Sequence, residues 1–139
     1  MTNSPRDGQQ LDRKLRQLRP AAVQRLVDYA GDWTVLLDNT SRIVYELGSR
    51  SAIGAGPPDV SSIGRRIAAF VHPDDMVFAV DKMEESLSRL NSEIRFEIRA
   101  GSSDDGWREV EVLAVNCMGD AALDGVILRV RLPKAREAG

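Results

Sequence analysis

His72 is the one histidine in the 139 residues, so any chemistry that needs an imidazole must use it. It stands in Phe70-Val71-His72-Pro73-Asp74-Asp75-Met76 without an evident nucleophile to activate. Nor does a Cys, His or carboxylate set lie at metal-ligand spacing around it. Cys117 is the sole cysteine, between Asn116 and Met118, and cannot close an internal disulfide, which suits a reducing cytoplasm. The carboxylates form no acid–base pair. Asp74 and Asp75 suit a helix start, Asp104 and Asp105 a turn, and Glu93, Glu97, Glu109 and Glu111 alternate with apolar or basic residues, as on a solvated sheet face. No phosphate loop, dinucleotide fingerprint or nucleophile elbow is present.

The elements that must position these residues follow from spacing. Pro73 has its φ preset for a first helical turn, and Asp74 and Asp75 place charge beside the unpaired N–H groups of a helix start. Met76, Val80, Met83, Leu87 and Leu90 then step by four, three, four and three, one apolar stripe on one long helix over 74–91. Trp33 to Leu37 and Arg42 to Leu47 read as paired strands joined by Asp38-Asn39-Thr40-Ser41. Gly48 to Ser62 is rich in small residues, with short helical turns at most. Glu93 to Arg99 alternates, with Ile94, Phe96 and Ile98 on one face. Turns at 101–106 and 119–125 separate it from strands at Trp107 to Cys117 and Val126 to Leu132, the last stopped by Pro133. Antiparallel hairpins with segregated helices define an α+β class.

Before the first strand, residues 1–9 are polar. Leu11, Leu15 and Leu18 then share a helical face with Arg13, Lys14, Arg16 and Arg19 around it. Pro20 interrupts this helix, and Val23, Leu26, Val27 and Ala30 continue at helical spacing until Gly31. The basic cluster reads as a solvated face, or as a surface for an acidic partner. One small domain accounts for the length, and 42% hydrophobic with 29% charged residues is ordinary for a globular protein. A net charge of -2 supplies no drive toward nucleic acid or anionic membrane. No apolar run is long enough to span a bilayer, and the polar N-terminus is unlike a signal peptide.

The ordered set of loop, His72-Pro73-Asp74-Asp75 helix start, amphipathic helix and hairpin through Asp105-Gly106-Trp107-Arg108-Glu109-Val110 resembles the PAS domain family, in its subgroup with an HPDD motif. Ile63-Gly64-Arg65-Arg66 stands where that family often has an I-G-R segment. The likeness covers roughly Asp32 to Leu132 and implies a five-stranded antiparallel sheet with short helices and one long helix on one face. The chain then divides into a tail with flanking amphipathic helices over 1–31, a PAS-like domain over 32–133 and a tail over 134–139. The resemblance gives His72 a structural place at the helix entrance. Asn116-Cys117 lies in the wrong element for the reactive cysteine of flavin-binding photosensory members. Asp74 to Asn91 lacks the histidine that haem-binding members use, and Met76 and Met83, which could ligate iron, read as core. No haem, metal or photoreactive flavin is expected.

What the resemblance implies is an apolar cavity between sheet and helix. Val80, Met83, Leu87, Phe96 and Ile98 would line it, and Ile67, Phe70, Leu113, Val115, Val126 and Leu128 would close it. The same side chains could instead simply fill the space. The expected role is a non-catalytic sensory or regulatory module of the cytoplasm, binding a small apolar ligand or a partner protein and acting on an output domain. The alternative is a small α+β enzyme with a cone-like pocket. Leu11, Leu15 and Leu18 suggest a homodimer through flanking helices, or a stripe folded back on its own sheet. Leu47 stands where many members have asparagine, and Arg131-Leu132-Pro133-Lys134 where many end in D-I-T, so the resemblance does not extend to that C-terminal output route.

Overall fold

The computed structural model describes residues 23–24, 26–27, 30–57 and 60–133. Leu11, Leu15 and Leu18, and the tail at 134–139, lie outside the described residues. Five strands, β1 (Trp33–Leu37), β2 (Ile43–Gly48), β3 (Glu93–Ser102), β4 (Gly106–Cys117) and β5 (Gly125–Arg131), pair antiparallel in the order β2-β1-β5-β4-β3. Short 3-10 turns occupy Arg50–Ile53, Ile67–Phe70 and Pro73–Asp75, and helix α1 runs over Met76–Leu87. The α+β sheet with one long helix is the architecture expected from the hydrophobic pattern.

α1 is shorter than the apolar stripe suggests, for local reasons at both ends. Its entry turn is 3-10, with the Asp74 N–H donating to His72 Nδ1 at 3.0 Å. At the other end the Ser88 N–H reaches both Glu84 O and Glu85 O, and Asn91 takes a left-handed φ of 62°. Leu90 therefore lies past the helix and is exposed.

The sheet has two apolar faces because β1, β4 and β5 carry apolar residues at both parities. Trp33, Val35, Leu37, Phe96, Val110, Val112, Ala114, Val126, Leu128 and Val130 point to the α1 side. Leu36, Val44, Leu113, Val115, Cys117 and Ile127 form a second cluster on the opposite side, completed by Leu26 and Leu123. This corrects two expected cavity residues. Leu113 and Val115 face away from α1, because the side-chain period of two places them opposite Val112 and Ala114.

Candidate functional site

A cavity of about 270 Å³ lies between the inner face of the sheet and α1. Its floor is Trp33 from β1, Phe96, Ile98 and Ala100 from β3, Val110 and Val112 from β4, and Leu128 and Val130 from β5. Pairings set that floor: Phe96 opposite Val112, Ile98 opposite Val110, and Val112 opposite Val130. The roof is Met76, Ala79, Val80, Met83, Glu84 and Leu87, and Ile67, Ala68, Phe70 and Val71 close one side. Val80, Glu84 and Leu87 line the space and also reach solvent, as does Ala68. The opening therefore runs beside that edge of α1. Ser41 and Glu84 are the polar side chains among the described lining residues, so an occupant would meet almost entirely carbon.

Ile67, Phe70, Val80, Met83, Leu87, Phe96, Ile98 and Leu128 are thus brought together on one wall system. Val126 belongs to the same apolar cluster but does not reach the cavity. Sequence reasoning missed Trp33, Ala79, Ala100, Val110, Val112 and Val130. Counting in twos from Trp33 and Val112, and by three from Met76, would have found most of them.

Both ends of α1 are fixed to the sheet while its middle spans the cavity. At the first end the Asp75 carboxylate accepts from Arg99 three times, from the backbone N–H at 2.8 Å and from Nε and Nη2 at 3.0 Å. The Arg99 side-chain bond is the main cause that holds the Asp75 carboxyl below its ordinary range, against a smaller opposing effect of burial. Asp75 is therefore a tie to β3 rather than a helix-dipole charge alone. At the second end Asn116 of β4 is buried, and its Nδ2 donates to Ser86 O at 3.1 Å and Arg89 O at 3.0 Å. Its Oδ1 accepts from the Met118 N–H at 3.0 Å. An amide in a strand thereby satisfies carbonyls that a helix end leaves open.

His72 stays at the helix entrance, its ring edge-on to Trp107 with centroids 4.8 Å apart. Cys117 is buried on the outer face, away from the cavity. Among the described residues no group of three His, Cys, Asp or Glu side chains could hold a metal.

No family model and no curated protein matches the sequence. Solved structures do. The PAS domain of a protein from Colwellia psychrerythraea superposes with a TM-score of 0.62 at 20% identity, covering 81% of this chain and 95% of that one. The fold is a PAS fold. The PAS-B domain of Drosophila melanogaster Cycle, with bound ethylene glycol, matches at a TM-score of 0.55 and 11% identity over 70% of this chain and 96% of that chain. A point variant of that PAS-B domain with bound glycerol matches equally, at a TM-score of 0.55 and 11% identity over 73% of this chain and 99% of that one. In this PAS fold no described helix is long and apolar enough to cross a membrane.

Proposed function

We propose that the chain is a sensory or regulatory module that binds a small apolar ligand between its sheet and α1 and performs no catalysis of its own. The observation that carries this reading is the cavity, some 270 Å³ with walls almost wholly of carbon. Native interiors are close-packed, and an apolar space larger than the roughly 150 Å³ that admits benzene in an engineered core is an invitation to a ligand. The fixed ends and spanning middle of α1 suit a roof that responds to what lies beneath it. A cytoplasmic setting, an output domain or partner protein, and placement in the HPDD subgroup belong to the same reading. Native mass spectrometry of protein purified from its own host tests it. The expected spectrum carries an added mass that denaturation removes; a bare chain mass would contradict retention of a ligand.

Homodimerisation through Leu11, Leu15 and Leu18 is part of the proposal. A helix of about ten residues is marginal alone and needs a surface to pack against. Leu26, which follows this segment in the sequence, is itself fully buried on the outer face of the sheet. Removing Met1 to Arg19 is expected to convert a dimer to a monomer in sedimentation. A full-length monomer at micromolar concentration would reject the dimer.

A further inference from the structure

Behind the cavity wall lies a buried guanidinium that the ligand-binding reading does not use. Arg50 is 4% exposed. Its Nε donates to Ser62 Oγ at 2.8 Å and its Nη1 to Ala55 O at 3.3 Å. The loop closes on it because Gly56 has no side chain: a Cβ there would stand 2.8 Å from Nη1. The Arg50 Cζ lies 4.2 Å from the centroid of the Phe70 ring, and the Cζ of Arg65 lies 4.9 Å from the same centroid. Both charges are thus within about 9 Å of one another.

A buried arginine ordinarily faces a carboxylate. Here, among the described residues, neither Arg50 nor Arg65 forms an ion pair. The two acidic groups whose charge reaches Arg50, Asp105 and Glu46, are engaged elsewhere. Glu46 accepts from Trp33 Nε1 at 2.7 Å and from the Ser62 N–H at 3.1 Å, and Asp105 accepts from Ser102 Oγ at 2.9 Å. Burial first, and the Arg65 charge second, lower the pKa of Arg50, as expected for a cation short of compensation.

We propose that exposed Arg65, with Arg50 against the same Phe70 ring, binds a small oxyanion, a phosphate or carboxylate group. Guanidinium groups suit either because their planar donors match two oxygens at once. The site is separate from the apolar cavity but shares a wall with it. Phe70 lines the cavity and carries both guanidinium groups, and Trp33, 5.7 Å from Phe70 between centroids, links the cavity to Glu46. The inference does not depend on a ligand filling the cavity.

The test is titration of the full chain with inorganic phosphate and, separately, with acetate, at constant ionic strength held by chloride. Amide NMR shifts of Gly54, Gly56, Ser62 and Arg65 report on the site. Saturable shifts with phosphate identify a phosphate site, and saturation with acetate alone identifies a carboxylate site. Arg65→Gln, at an exposed position, is expected to weaken binding about tenfold, while Arg95→Gln on β3 leaves it unchanged. Linear shifts with both anions, or an Arg65→Gln titration identical to the parent, would overturn the proposal.

Discussion

The two faces of the sheet start from similar material and end differently. On the outer face Leu36, Val44, Leu113, Val115, Cys117 and Ile127 are closed over by Leu26 and Leu123, all eight buried. On the inner face equally apolar strands meet α1, which is fixed at Asp75 and near Ser86 and leaves about 270 Å³ between them. Apolar content alone does not decide whether a core is filled. What differs is how the covering element is held. Leu26 and Leu123 press single side chains into the sheet, whereas polar ties at each end set the standoff of α1.

If the outer face is the close-packed one, truncation there should be the most damaging. Leu36→Ala is expected to destabilise by about 3 kcal/mol, read from denaturant midpoints, because a fully buried side chain leaves a void. Met83→Ala, partly exposed and on the wall of an existing space, should cost less, about 2 kcal/mol. Equal losses would erase the distinction between the faces. Asn116→Ala removes the amide that serves Ser86 O and Arg89 O, and should cost about 2 kcal/mol with faster amide exchange at the end of α1.

The tie at the other end is partly solvated, with Asp75 at 22% and Arg99 at 40% side-chain exposure, so its loss should be smaller. Asp75→Asn is expected to cost about 1 kcal/mol at neutral pH. The pKa of Asp75 is depressed in the folded state, so its contribution is fully present above the ordinary aspartate value near 3.9 and fades as pH falls through the lower folded value. Parent and variant stabilities should therefore differ by a constant amount above about pH 5 and converge in acid. A gap that widened as pH fell would reject this role. Least of all should Ala79→Leu disturb stability, by under about 1 kcal/mol, since its added carbons enter the cavity. A large loss would mean that the space is not available.

Much of the fold was legible from periodicity. Alternation at Ile94, Phe96 and Ile98 and the stripe of Met76, Val80, Met83 and Leu87 mark β3 and α1 because each buries one face. The site was legible only in part, and the reason lies in β4 and β5. Val112, Leu113, Ala114 and Val115 are all apolar, so hydrophobicity cannot assign a side, and register alone shows that Leu113 and Val115 turn outward. The tie of Asp75 to Arg99 was hidden because it joins residues 24 positions apart. His72 as a cap acceptor was equally hidden, since an imidazole is not a usual capping group. Arg50 gave no signal, as nothing local to a Ser-Arg-Ser stretch requires burial.

The most direct test of the inner-face cavity uses the methionines. Met76 and Met83 line it, while Met118 lies beyond β4 and outside it. With methyl-labelled methionine, a benzene titration followed by NMR should shift the Met76 and Met83 signals saturably and leave Met118 in place, and Ala79→Leu, which narrows the space without filling it, should weaken the binding. Shifts that never saturate, or that are as large at Met118 as at Met83, would contradict a ligand cavity beneath α1.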